Sequence, residues 1–246
     1  MTQAKRLAVI GTVTLFLGLV ALFPARIAYR WMAPIELSLA GISGTIWRGA
    51  AAEGQVAGVY MRNLTWQFKP LSLFIGKLAV AMQLDVAGGS VDTKVAIGFG
   101  GILTLSDFDG NAPIRSLGQV MQIAGMDGRV NAQFSKLQFS NGIPIAADGV
   151  VHIINLFIGQ LAPTSIGDFE AKFSTTNDGI IASVDDTAGI LDLEAVTFRL
   201  TSDRLYSLIG MVAPNSTTPS TVVEQLSFLG SPNDLGQREF RFEGEL

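Results

Sequence analysis

Apolar and polar residues alternate with a period of two through most of this chain, and this pattern constrains its fold more than any other feature. In residues 78–87, leucine, valine and methionine alternate with alanine, glutamine and aspartate; in residues 238–246, phenylalanine, glycine and leucine alternate with charged residues. Such alternation is typical of a strand with one buried face. Similar runs lie at 130–139, 150–154, 168–174 and 193–200.

Glycine and Asn/Asp clusters separate these runs, and each predicts a turn or hairpin. They are AGGSVD, DFDGN, GMDGR, SNGIP and TNDG. Short strands with turns at this spacing are typical of antiparallel all-β domains, and the 27 glycines fit a sheet that bends. We therefore expect a mainly β fold with an antiparallel sheet that bends.

Two segments have helical spacing instead, so we expect one or two short helices. Residues 114–125 and 220–230 each place four apolar residues on one helical face and end in glycine. The apolar positions are Leu117, Val120, Met121 and Ala124 in the first, and Val222, Val223, Leu226 and Leu229 in the second. A strand is the alternative for the second segment.

Composition excludes several kinds of function. Hydrophobic residues make up 48% of the chain and charged residues 15%, with a mean hydropathy of +0.40; this favours a membrane-linked or strongly β-rich protein, since charged residues usually make up about a quarter. The net charge is −4, without a Lys/Arg cluster, so we expect no nucleic-acid partner. The chain has no cysteine and one histidine, which excludes disulfides, thiolate zinc sites and cysteine nucleophiles.

The amino-terminal segment predicts a membrane anchor. Residues 7–23 carry no charge, and their length is at the short end of a membrane span. A cleaved signal peptide is the competing interpretation, but a small-x-small cleavage site is missing. We expect residues 1–6 in the cytoplasm, an uncleaved signal-anchor helix over 7–25 and a β-rich domain over 26–246 on the other side of the membrane. Tyr29 and Trp31 would then lie in an interfacial aromatic belt, or pack in the core.

Two motifs resemble ligand loops but lack essential parts of them. The run DFDGN, from Asp107, resembles the start of a calcium loop, but the twelfth position is Gly118 where that loop needs a glutamate. A β-turn explains it better. GFGG at 98–101 follows a strand, yet no helix with a downstream acid opens there, so it does not predict a dinucleotide site.

The titratable residues do not predict catalysis either. Asp185 and Asp186 are adjacent, so on a strand they would face opposite ways, and we interpret them as a hairpin tip. His152 lies in an apolar run and is interpreted as an ordinary strand residue. We predict no catalytic, cofactor-binding or metal-binding residue, and a sheet with one apolar face makes binding or assembly the expected class of function.

The stretch GISGTIWRGAA (41–51) follows the predicted anchor. Its glycines lack the following helix that a phosphate site needs, and its large apolar residues are too few to lie stably in a membrane surface. We interpret it as a turn that leads into the first strand. Trp47 should lie against the sheet near Trp66.

Two separated motifs resemble the type II secretion system protein N family. In the first half, a Gly-x-Ser-Gly-Thr-φ-Trp-x-Gly element is followed by a Trp-x-φ-x-Pro-Leu element and a Gly-x-Leu. The matching residues are Gly41, Ser43, Gly44, Thr45, Trp47, Gly49, Trp66, Pro70, Leu71, Gly76 and Leu78. The carboxyl end contributes Leu226, Leu229, Gly230, Asp234, Gly236, Gly244 and Leu246. Gln237 departs from the pattern, because a basic residue is expected there and Arg238 comes one position late.

The resemblance implies a Gram-negative inner-membrane protein with one amino-terminal span and a periplasmic β domain. It would be a non-catalytic subunit of the type II secretion system that contacts the inner-membrane platform or the secretin-coupling protein, with its motif residues in structural roles. The family is similar in broad design to AsmA-like proteins, whose curved sheets form an apolar groove. This similarity implies a curved antiparallel sheet shaped as a half-pipe or a partly open barrel. A lipid- or acyl-chain-binding groove protein is therefore the alternative.

Overall fold

A computed structural model describes residues 3–32, 37–56, 59–70, 72, 76–86, 88–98, 100–116 and 125–245. Within these residues the chain forms a sheet of fourteen strands, α-helices and a 3-10 helix, Ser227–Leu229. The helices are α1 Gln3–Ala21, α2 Ala25–Met32 and α3 Ser220–Leu226. The strands are β1 Leu37–Ala40, β2 Ser43–Gly44, β3 Arg48–Val56, β4 Val59–Phe68, β5 Lys77–Val86, β6 Gly89–Gly98, β7 Leu103–Pro113, β8 Met126–Ser140, β9 Ile143–Ile158, β10 Gly167–Thr176, β11 Gly179–Gly189, β12 Leu191–Thr201, β13 Leu205–Pro214 and β14 Arg238–Glu245.

All the described strands belong to one antiparallel sheet, in which each strand pairs with its neighbours in sequence. The order runs from β1 through β3 to β14, and β2 pairs with β3 beside this path. Among the described strands β14 pairs with β13 alone, so the sheet is open. Short connections between amphipathic strands favour this meander, because a chain that reverses within a few residues lies antiparallel to its own start. The mainly β antiparallel prediction is confirmed.

Several predicted turns are confirmed and two predictions are wrong. Hairpins occur at 141–142 and 177–178. Asp107, however, lies inside β7, where it has a φ of 49° and the register with β6 shifts. It is a β-bulge, a feature that uses the same residue types as a turn. Asp185 and Asp186 lie within β11 and not at a hairpin tip, and Asp186 accepts a hydrogen bond from the Leu193 amide at 2.8 Å.

The sheet bends sharply around β10. Cα atoms of β9 and β11 approach within 8 Å of each other although β10 lies between them. In a flat sheet such strands are about 9.6 Å apart. Bulges at Asn63, Asp107, Asn155 and Ala195, each with a positive φ, coincide with register shifts along the sheet. Such bulges increase local twist and bending.

The amino-terminal helix ends at Ala21, before the predicted boundary at residue 25. Pro24 explains this end, because a proline lacks the amide that would bond the carbonyl four residues earlier. A second helix, α2, begins at Ala25. Among the residues that the structure describes, no helix combines the length and hydropathy needed to cross a membrane.

The second predicted helical segment is confirmed as α3 and the 3-10 helix that follows it. Val222 is fully buried and Leu226 is 7% exposed, whereas Val223 and Leu229 are partly exposed. Residues 114–116 of the first segment are helical. Its apolar positions Leu117, Val120, Met121 and Ala124 lie outside the described residues.

Three clusters of buried apolar side chains lie along the sheet. The largest cluster forms where α3 packs onto the ends of the strands from β9 to β13. A second lies in the middle of β7–β13 and contains Phe134, Ala147, Ile180 and Leu200. The third lies between β3 and β5 around Met61 and Leu64. The core therefore runs along one face of the sheet.

Candidate functional site: the apolar face of the sheet

The two ends of the sheet differ. The residues that follow α1 join the sheet beside Arg48, the first residue of β3, and the register places the ends of β4 and β6 at the same end. We call this the α1 end. The segment containing α3 connects β13 to β14 at the opposite end, which we call the α3 end.

One face of the sheet carries a row of side chains across the strands; we call it the apolar face. Direct register partners form the row from β3 to β6 and again from β7 to β14, and the register shift at Asp107 separates the two parts. From β3 to β6 it contains Gly49, Trp66, Met82 and Thr93. From β7 to β14 it contains Phe108, Phe134, Gly149, Phe173, Ala182, Phe198, Leu208 and Phe242.

Large and small residues alternate in this row from β8 to β12. Phe134 and Phe173 flank Gly149, and their ring centroids are 5.6 Å apart across the strand between them. Phe173 and Phe198 flank Ala182 in the same way, at 6.5 Å. These distances suit tilted or edge-to-face ring contacts. The small residues let the rings meet, so the face packs against itself on the inner side of the bend.

The amino-terminal half of the same face is less covered and forms a cavity of about 510 Å³. Side chains of α2, β1 and β3–β6 line it, among them Tyr29, Trp66, Phe68, Leu78, Val80 and Ile97. Leu78 and Ile97 are register partners near the α1 end and are 56% and 51% exposed. This volume is within the range of small-molecule sites.

The helix α2 closes one side of this cavity. Ala25 and Ala28 are buried, and the Tyr29 hydroxyl donates to the Leu37 carbonyl at 3.0 Å and accepts from the Leu39 amide at 2.9 Å. These bonds fasten α2 to the edge strand β1. Trp31 is 76% exposed. Tyr29 and Trp31, both expected at the membrane interface or in the core, therefore differ: Tyr29 is bonded to the sheet and Trp31 is exposed.

The stretch 43–49 builds the joint between α1 and the sheet. Because Pro24 cannot donate to the Val20 carbonyl, that oxygen accepts from the Trp47 indole Nε1 at 2.8 Å. The Ile46 amide donates to the Phe23 carbonyl at 3.1 Å. The Trp47 ring packs on Phe68 with centroids 5.0 Å apart. Trp47 thus lies against the sheet as predicted, beside the strand that carries Trp66.

Two motif glycines in this stretch are required by close approaches. Gly44 has a φ of 83°, and a Cβ there would lie 2.5 Å from the Arg48 carbonyl oxygen. At Gly49 a Cβ would lie 2.3 Å from the Trp66 ring, whose Nε1 donates to the Thr45 carbonyl at 3.2 Å. Ser43 and Gly44 form β2, so the turn into β3 lies at 45–47, after the predicted one.

The remaining motif residues are spread along the sheet and over both its ends. Gly41 follows β1 and lies beside Ala52 in the middle of β3. At the α1 end Pro70 follows β4 and Gly76 precedes β5, while Leu71 lies outside the described residues. At the α3 end Leu229, Gly230, Asp234 and Gly236 belong to the connection before β14. Gly244 lies in β14 beside Tyr206. The motif residues therefore do not converge on one reaction centre.

Titratable groups on the opposite face form surface ion pairs. His152 Nδ1 lies 3.5 Å from Glu170 Oε2, and Lys172 also pairs with Glu170. The Lys172 hydrogen bond lowers the pKa of Glu170. Within the described residues no group of three or more His, Cys, Asp or Glu side chains is arranged to hold a metal ion.

The phenylalanine row and the cavity are the features that sequence analysis did not find. Each phenylalanine was visible as an apolar strand position, but Phe134 lies 15 positions from Gly149 and 39 positions from Phe173 in sequence. The signal that could have located the row is Gly149, the one glycine inside the strand Ile143–Ile158, because a glycine within a strand often marks a close approach.

Comparisons with known proteins agree with the motifs. The family described as "Type II secretion system (T2SS), protein N" matches residues 36–241. A protein of Aeromonas hydrophila and one of Vibrio cholerae, each named "Type II secretion system protein N", are both 24% identical to this chain. The Aeromonas alignment covers 94% of each chain, and the Vibrio alignment 100%. No solved structure is significantly similar.

The family match covers most of the chain. It includes β1 to β13, the row on the apolar face as far as β13, and the connection that carries α3. The chain belongs to the type II secretion system protein N family.

Proposed function

We propose that this protein is a non-catalytic subunit of the type II secretion system, supporting export of folded periplasmic proteins across the outer membrane. The family match over residues 36–241 is the observation that carries this proposal. Among the described strands β14 pairs with β13 alone, and an open edge of this kind is suited to contacts with other subunits. We propose the platform and secretin-coupling subunits as the partners.

We further propose that α1 anchors the protein in the bacterial inner membrane. Its apolar side chains are exposed all round: Leu7, Ile10, Leu15, Phe16 and Leu19 are each more than 60% exposed. A helix that is apolar on every side needs an apolar environment. Nineteen residues give a length of about 28 Å, close to the thickness of the hydrocarbon core.

In this arrangement residues 1–6 are cytoplasmic, residues 7–25 form the anchor and residues 26–246 lie in the periplasm. The exposed Trp31, on α2, would lie at the membrane surface. We propose a structural role for the motif residues: those around Trp47 fix the orientation of the sheet relative to α1, and those around Gly230 shape the connection to β14.

Deletion of the gene in its native host tests the main proposal. We expect reduced secretion of a type II substrate, and recovery when the full-length protein is supplied. A photoreactive amino acid at exposed Tyr60 or Phe242, near opposite edges of the sheet, should crosslink to platform or secretin-coupling subunits. The matched control is the same photoreactive amino acid at Ile10 of α1, which should label lipid instead. Unchanged secretion together with no crosslinks would refute the proposal.

The cavity favours a second candidate, acyl-chain binding. It is lined almost entirely by apolar side chains, with the Tyr29 hydroxyl already bonded to β1. An exposed apolar surface of this kind is typical of a binding site. The test is mass spectrometry of organic extracts from the full-length protein purified in mild detergent. The reference is the amount of lipid that copurifies with another membrane protein of similar size in the same detergent. More lipid than this reference would support the candidate, and extracts without the excess would refute it.

A further inference from the structure

We propose that the cavity binds one acyl chain of an anionic phospholipid drawn from the adjacent membrane, with the phosphate-bearing headgroup at the α1 end. This inference rests on the proposed acyl-chain binding and adds the ligand class, its source and its orientation.

The dimensions of the apolar lining suit a single chain. Along β4 the lining extends from Met61 to Phe68, which is about 23 Å at strand spacing. One leaflet of a bilayer contributes about 15 Å of hydrocarbon. An acyl chain can therefore lie along the strands without leaving the cavity.

The charges of the surrounding residues give the orientation. Four exposed basic residues lie at the α1 end: Arg26 near the start of α2, and Arg48, Lys69 and Lys77 at strand ends. Lys77 alternates with Leu78, so it leaves the end of β5 on the face opposite the cavity. None of these four residues forms an ion pair within the described part of the chain.

The acidic residues of the neighbouring strands lie elsewhere. Glu53 is the register partner of Arg62, Asp85 lies one residue before the α3 end of β5, and Asp92 pairs with Gln83 in the middle of the sheet. The α1 end is thus positive next to an apolar opening, which complements an anionic headgroup attached to an acyl chain.

The position of the opening gives the source of the lipid. Leu78 and Ile97, the most exposed side chains of the cavity lining, lie at the end of the sheet that α1 joins. Tyr29 of α2 lines the same cavity eight residues after α1 ends. With α1 as anchor, the opening faces the lipid headgroups, so a chain can enter from the membrane.

The experiment uses the full chain reconstituted into phosphatidylcholine vesicles that contain a trace of lipid with a photoreactive group at the end of one acyl chain. The probe is carried by phosphatidylglycerol, by phosphatidylcholine or by a free fatty acid, and labelled peptides are mapped by mass spectrometry. We expect phosphatidylglycerol to label β4, β5 and β6, in addition to α1.

Two pairs of variants test the contacts. Val80→Phe fills the cavity and should abolish labelling of β4–β6, whereas Ala81→Phe, the next residue on the opposite face, should not. Lys69→Gln combined with Lys77→Gln should reduce phosphatidylglycerol labelling of these strands by roughly 5- to 30-fold. The matched double variant Lys136→Gln with Lys172→Gln, on β8 and β10, should leave it unchanged.

Each other outcome has a defined meaning. Equal labelling of β4–β6 by phosphatidylglycerol and phosphatidylcholine would overturn the headgroup assignment and leave acyl-chain binding intact. Labelling of these strands by the fatty acid alone would overturn the phospholipid source. Labelling confined to α1 and α2 with every probe would overturn the inference and the acyl-chain candidate together.

Discussion

The contact between Phe134 and Phe173 depends on the absence of a side chain at Gly149, so we predict that Gly149→Ala destabilises the sheet. An added Cβ would lie 2.2 Å from the Gln133 carbonyl oxygen and 2.5 Å from the Phe134 ring. Overpacking of this kind costs about 1–3 kcal/mol, and separating the two rings costs about 1 kcal/mol more. The smaller unfolded-state entropy of alanine offsets roughly 0.4–1 kcal/mol.

The net prediction is a loss of about 1–3 kcal/mol, or roughly 2–12 °C in melting temperature for a chain of this size. Circular dichroism of the full-length protein in detergent measures it. Gly98→Ala is the matched control, because Gly98 also lies in a strand but has open space where its Cβ would be. If Gly149→Ala melts at or above the temperature of Gly98→Ala, then the glycine does not limit the approach of the strands and our reasoning on the row is wrong.

Three further predictions concern other parts of the sheet. Val222→Ala should lower the free energy of unfolding by about 2 kcal/mol, because this α3 side chain is fully buried, whereas Val223→Ala should change it by less than about 0.5 kcal/mol; denaturant titration compares the two. Trp47→Phe removes the indole donor to the Val20 carbonyl, which then keeps the longer bond of 3.3 Å from the Phe23 amide, and tryptic cleavage between α1 and the sheet should become faster; an unchanged rate would contradict the role of the joint. The hydrogen bond from Lys172 lowers the pKa of Glu170 from its ordinary value of 4.5. The ionised Glu170 therefore contributes stability above pH 4.5, and this contribution is lost as the pH falls through the lowered pKa. Glu170→Gln should therefore lose less stability on acidification below pH 4.5, and identical acid unfolding curves would contradict the effect of this pair.

Sequence patterns predicted the secondary structure well where local rules operate. Alternation in residues 78–87 and 238–246 identified β5 and β14, because a strand in an amphipathic sheet must alternate its faces. The helical spacing of residues 220–230 identified α3. The motifs around Trp47 and Gly230 indicated the family, which the comparison confirms.

The same rules gave wrong results at Asp107 and at the pair Asp185 and Asp186. Acidic and glycine residues favour turns, but they also occupy bulges and the solvated faces of strands. The local sequence does not distinguish these cases. The register with β6 made Asp107 a bulge, and the pairing of β11 with β10 kept the two aspartates inside a strand.

The sequence by itself determined that this chain forms amphipathic strands, that one apolar face results and that an apolar helix precedes them, because these properties depend on residues a few positions apart. Only the tertiary structure decided what that face contains. The register of successive hairpins placed Gly149 between Phe134 and Phe173, and the docking of α2 onto β1 completed the cavity. Both depend on contacts between residues distant in sequence, and no local pattern records them.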